Sequence, residues 1–81
     1  MTDTALLRSY MALRKITTQE LAKIIGMSVA SLSYKINNIR EFKQSEILAI
    51  QVALGLTDEQ RDSIFFTLNV DKTLQFKKEA I

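Results

Sequence analysis

Thr17-Thr18-Gln19-Glu20-Leu21-Ala22-Lys23-Ile24-Ile25-Gly26-Met27-Ser28, followed at once by Val29-Ala30-Ser31-Leu32-Ser33-Tyr34-Lys35-Ile36-Asn37-Asn38, decides the fold of this chain. Thr17 is a helix N-cap, and Glu20 three residues later completes a capping box. Ile16 and Leu21 occupy the two positions of a hydrophobic staple across that cap. Such a cap contributes about 1 kcal/mol. The helix it starts runs to about Ile25 and turns Leu21, Ala22 and Ile25 inward, and Gly26 supplies the permissive backbone needed to leave it. Ser28 caps a second helix, with Met27 and Leu32 again at staple positions. Leu32 and Ile36, four apart, form its buried seam. Asn37 and Asn38 end it, since Asn tolerates the left-handed conformation. Ala22 is small enough for a close helix crossing, Gly26 makes the turn, and Leu32 locks the second helix onto the first. The stretch reads as a helix-turn-helix.

Working outward, a helix is expected before it, over about Thr4 to Lys15, with Leu6, Leu7, Tyr10, Met11 and Leu13 on its apolar side. A fourth helix spans about Gln44 to Leu54, with Ile47, Leu48, Ile50 and Leu54 inward and Gly55 past its end. Thr57 and Gln60 form a second capping box. That box starts a fifth helix at Asp58, which carries Ile64 and Phe65 inward and ends near Phe66. Phe42, Phe65 and Phe66 are expected as core or interface anchors. Residues 67–81 contain Leu68, Val70, Leu74 and Phe76 but follow no single period; they are expected to form a tail that serves as a dimerisation or partner-binding arm. The organisation expected is one all-α domain over 1–66 plus that tail.

Composition agrees with an all-helical chain: 81 residues, no Pro and two Gly. With neither Cys nor His, disulfides, thiolate chemistry, zinc ligation and the usual proton shuttle are excluded. No triad-like or phosphate-cradling motif appears, so an enzyme is not expected. Asp58, Glu59 and Asp62 suit the N-terminal turn of a helix. No cofactor, metal or small-molecule ligand is expected. Apolar runs are short and broken by charge, and no signal-peptide pattern opens the sequence, so the expected location is the cytoplasm. The net charge of +2 is unevenly spread. Residues 1–43 hold seven basic and three acidic side chains, whereas 44–81 hold four basic and six acidic ones. A nucleic-acid binder with one working face has this asymmetry, and so does a chain with merely scattered surface charge.

A helix-turn-helix places its second helix in the major groove, while the N-terminal amides of the first meet a phosphate. The run at 17–28 resembles the DNA-binding domain of the Cro/CI-type (XRE) repressors. Ser31-Leu32-Ser33-Tyr34-Lys35-Ile36-Asn37-Asn38, then Arg40-Glu41-Phe42 and Ser45-Glu46-Ile47, look like the small Cro-like regulators of bacteriophages of Gram-positive bacteria. The similarity covers about residues 5–66. It implies a five-helix, lambda-repressor-like domain in a bacterial host that competes for operators in a lysis–lysogeny switch.

On that resemblance the base-reading positions are Val29, Ala30, Ser33 and Tyr34. Val29 and Ala30 suit thymine methyl groups, and Ser33 can hydrogen-bond several bases. Thr18, Gln19, Ser28, Lys35, Asn37, Asn38, Arg40 and Lys43 fall at backbone-contact positions, which orient a protein without reading sequence. Thr18 stands where a Gln is common. Lys43 stands where a small capping residue is usual, so the cap of the fourth helix is either missing or moved to Ser45. Tyr34 either meets DNA or lies across the domain surface, and Ser31 faces solvent. No reading position is an Arg, so specificity leans on A·T content, DNA shape or water-mediated contacts. A homodimer, at least on DNA, follows from the few base pairs one recognition helix spans. The rival on the same fold is a protein-binding module, an antirepressor or antitoxin.

Overall fold

The computed structural model describes residues 1–66. The expected tail over 67–81 lies outside the described residues. Among the described residues there are five α-helices and no strand: α1 (Thr4–Leu13), α2 (Thr18–Ile25), α3 (Val29–Ile36), α4 (Gln44–Leu54) and α5 (Asp58–Phe65).

Each helix begins where a side chain meets the otherwise unpaired amides of a first turn. Asp3 caps α1 by accepting from the Leu6 amide at 3.0 Å. Thr17 and Glu20 close a reciprocal capping box on α2, and Thr57 and Gln60 do the same on α5. Ser28 caps α3 by accepting from the Ser31 amide at 3.1 Å. The exception is α4. Its N-cap is Lys43, whose ammonium has no acceptor to offer, and the cap has not moved to Ser45. Half a box remains, with the Glu46 carboxylate accepting from the Lys43 amide at 2.8 Å.

Four helix ends share one backbone device. Lys15, Gly26, Asn38 and Gly55 have φ of 58°, 75°, 64° and 64°. The amide after each returns to a carbonyl one turn back, as Ile16 to Met11 at 2.9 Å and Met27 to Ala22 at 2.9 Å. This is the Schellman arrangement. It stops α1 at Leu13, two residues before the expected end, because Lys15 must already be left-handed for Ile16 to turn back over the core.

Leu7, Met11, Leu21, Ala22, Leu32, Ile36, Ile47, Ile50, Leu54, Leu56, Ile64 and Phe65 form one buried cluster. Phe42 packs edge-on against Phe65, ring centroids 5.2 Å apart, so both rings are anchors as expected. Leu13 and Leu48 are corrections: they are 66% and 45% exposed. Leu13 lies two residues beyond Met11, on the far side of α1. Leu48 lies off the seam that Ile47, Ile50 and Leu54 make at three- and four-residue spacing. Leu56, in the turn between α4 and α5, takes a core place instead.

Residues before and at the start of α1 tie the molecule together at the end of α3. The Thr2 amide donates to Asn38 Oδ1 and Asn38 Nδ2 donates to the Thr2 carbonyl, both at 2.9 Å. The Thr4 hydroxyl donates to the Ile36 carbonyl, one of the groups the last turn of α3 leaves open. The Asp3 amide donates to the Ile64 carbonyl at the end of α5. The C-terminal end of α3 is therefore fixed from outside as well as by its own core seam.

Candidate nucleic-acid interface

The surface that matters is built on α3. Leu32, Lys35 and Ile36 face inward, which leaves Val29, Ala30, Ser33, Tyr34 and Asn37 at the helical spacing of a single outward stripe. Val29 is 43% and Tyr34 46% exposed, Ala30 is exposed, and Ser33 is half-buried. Asn37 Nδ2 approaches Ser33 Oγ at 3.5 Å, the long limit of a hydrogen bond. The stripe carries no charge of its own.

α2 packs against α3, and its first turn is the second part of the candidate surface. Because the capping box occupies the Thr17 and Glu20 amides, the first-turn amides of Thr18 and Gln19 remain for an outside acceptor. Gln19 is exposed and Thr18 half-buried. A shallow depression lined by Arg8, Met11, Ala12, Ile16, Thr17 and Thr18 brings a cation to this helix start. Arg8 is not among the expected contacts, because only the tertiary structure brings it to the turn between α1 and α2. At α3, the Ser28 oxygen accepts the Ser31 amide, and its hydroxyl hydrogen is still free to donate.

Beyond the stripe the chain doubles back. Asn38 is left-handed, and the Ile39 and Arg40 amides both donate to the Tyr34 carbonyl, at 2.8 and 3.3 Å. The Arg40 guanidinium then lies over the Tyr34 ring, 5.8 Å from its centroid, within cation–π range. Lys43, at the start of α4, is exposed.

Two expected contact residues, Lys35 and Asn38, have side-chain partners within the protein. Lys35 is buried between α3 and α4, with Nζ 2.7 and 2.8 Å from the two oxygens of Glu46. It sits beside Ile36 on the inner side of α3, with the ammonium turned to Glu46. The Asn38 amide is used in both directions by Thr2, and its φ of 64° makes it the closing residue of α3. Arg14 is also removed from the free basic set, since Nε donates to the Leu54 carbonyl at the end of α4 at 2.8 Å. Burial pushes the Glu46 carboxyl up, but the Lys35 ammonium, the Lys43 amide and the charges of both lysines outweigh it. The carboxyl is held below its ordinary range.

The geometry is thus an uncharged exposed stripe on the second helix of a helix-turn-helix, bordered by open amides and cations. A family model described as the Cro/C1-type HTH DNA-binding domain matches residues 6–59, about two-thirds of the chain. The chain belongs to that family. Among curated proteins and among solved structures nothing matches it. The Cro/C1-type family is a DNA-binding one and not a family of enzymes, in agreement with the absence of a catalytic motif in the sequence. The matched span of this Cro/C1-type domain runs from α1 into the first turn of α5 and includes every residue of the stripe. No helix of the described residues is long and apolar enough to cross a membrane.

Proposed function

We propose that this protein is a sequence-specific, double-stranded-DNA-binding transcription regulator, a Cro-like repressor of a bacteriophage of Gram-positive bacteria that competes for operators in a lysis–lysogeny switch. The observation that carries the DNA-binding part is the exposed α3 stripe, held at its N-terminal end by the Ser28 cap and at its C-terminal end by Thr2 and Thr4. The phage part rests on the likeness of residues 31–47 to such regulators. Its place of action is the cytoplasm of the bacterial host.

Val29 and Ala30 meet thymine methyl groups in the major groove, and Ser33 and Tyr34 hydrogen-bond base edges. Thr18, Gln19 and Ser28 bind phosphate through amides and hydroxyls, with Arg8 beside them. Asn37 and Lys43 hold the backbone on the other side. Arg40 stands between the two groups. A single α3 spans only a few base pairs, so two copies bind two half-sites about one helical turn apart.

Footprinting on the intergenic DNA beside the gene tests this. Two protected patches about 34 Å apart along one face are expected. Absence of any protection at low salt, with tight capture of another protein, favours the antirepressor or antitoxin reading instead.

A further inference from the structure

The stripe has no arginine, yet one arginine lies over it. The Arg40 guanidinium is 5.8 Å from the ring centroid of Tyr34, an exposed member of the stripe. Its position is not that of a loose loop residue. The Arg40 amide and its neighbour's are bonded to the Tyr34 carbonyl, and the turn between is pinned by Asn38 to Thr2 on both sides of the amide. Among the described residues no carboxylate lies within ion-pair distance of Arg40. Nothing on the described surface therefore competes for the guanidinium except the ring beneath it.

We infer that Arg40 is a base-reading residue of this interface, its fork donating to the O6 and N7 acceptors of one guanine, with Tyr34 as the group that positions it. The inference rests on the DNA-binding reading above and changes the role of Arg40 within it. Three points separate this from a phosphate contact. A guanidinium that lies on an aromatic ring has its orientation limited, and a limited orientation suits two parallel hydrogen bonds rather than attraction to a diffuse charge. The ring belongs to the stripe that enters the groove, so whatever rests on it enters as well. The fork also supplies the commonest specific contact, Arg to guanine, which Val29, Ala30, Ser33 and Tyr34 cannot make. The phosphate role is left to cations away from the stripe, Arg8 and Lys43.

The test is selection from double-stranded DNA with a randomised core of about two helical turns. The full-length protein is compared with Arg40→Lys, Arg40→Ala, Tyr34→Phe and Tyr34→Leu, and a salt series is run on the winning duplex. The wild type should enrich a motif with a required G·C pair. Arg40→Lys keeps the charge but lacks the fork, so preference at that pair alone should fall about tenfold or more. The slope of log affinity against log salt should not change. Tyr34→Phe loses the hydroxyl contact but retains the ring, so the preference at that G·C pair should survive whatever is lost elsewhere, while Tyr34→Leu should lose it at that pair.

Two results overturn the inference and leave the regulator reading standing. One is an Arg40→Lys motif identical to that of the wild type. The other is a uniform loss across all positions in Arg40→Ala, with the salt slope reduced by about one, which marks a phosphate contact. If the folded wild type enriches no motif at all, the DNA-binding function fails and the inference falls with it.

Discussion

Lys35 carries a charge into the space between α3 and α4, with its side chain 11% and that of Glu46 18% exposed. Neither group would be stable there alone, since an unpaired charge out of water costs several kcal/mol, but together they satisfy each other. Glu46 gains further by accepting the Lys43 amide. Lys35→Met should destabilise the protein by about 1.5–3 kcal/mol, because it strands Glu46 among partly buried neighbours. Replacing both, with Lys35→Met and Glu46→Leu, should recover most of that loss, and urea unfolding of the three variants checks it. The same pair sets an acid limit. The Glu46 carboxyl is ionised more readily in the folded chain than in the unfolded one. Its stabilisation is therefore complete above the ordinary value of 4.5 and fades as pH falls through the lower folded value. Glu46→Gln should flatten the pH dependence of stability in that acid window. The sequence around Lys35 does not announce any of this. Its partner is eleven residues away in another helix, and nothing local to Lys35 points to it. For Asn38 the tolerance of left-handed backbone is legible, while its tie to Thr2, thirty-six residues away, is not.

The helices themselves were mostly legible, because their starts and stops are local chemistry. The two capping boxes, the Ser28 cap and the two glycine stops each lie within a few residues of the element they bound. Where a boundary depends on something further off, reading fails. Lys15 is not a residue that prefers φ of 58°, and only the need to return Ile16 to the core forces it. The inward face of α4 was harder still. Apolar residues lie on more than one side of the helix, so periodicity alone did not separate Leu48, which is exposed, from Ile47 and Ile50, which are not. Two opposite substitutions test the shared left-handed ends. Gly26→Ala meets no atom within 4 Å of the added Cβ, so its cost is backbone strain alone, about 1–2 kcal/mol. Lys15→Gly relieves the same strain and should raise the thermal midpoint, its gain of about 1 kcal/mol being offset in part by the freer unfolded chain. Equal midpoints for both variants and the wild type would show that these turns are not held as described.

Across the whole molecule five of the seven basic side chains of residues 1–43 fall into two uses. Arg14 and Lys35 hold elements together, by the Leu54 carbonyl and the Glu46 carboxylate. Arg8, Arg40 and Lys43 remain around α3 and the start of α2. Charge counting along the sequence found the asymmetry but not this division, which only the tertiary contacts make. The stripe's positions came from the resemblance to the Cro/CI-type repressors, whereas the period of α3 alone left Lys35 outside with them, and the structure buries it. The stripe's uncharged surface leaves affinity to flanking cations and amides, so binding should weaken steeply with salt, whereas discrimination should depend on the stripe and on Arg40. The most direct test is a fluorescence-anisotropy titration of the full chain over a salt series. It compares duplex DNA from beside its own gene with an unrelated duplex of equal length. The account predicts preference for the first by on the order of a thousandfold or more at moderate salt, with affinity falling linearly in log–log form. Equal affinity for both duplexes, or no binding at low salt by protein that circular dichroism shows to be helical, would contradict it.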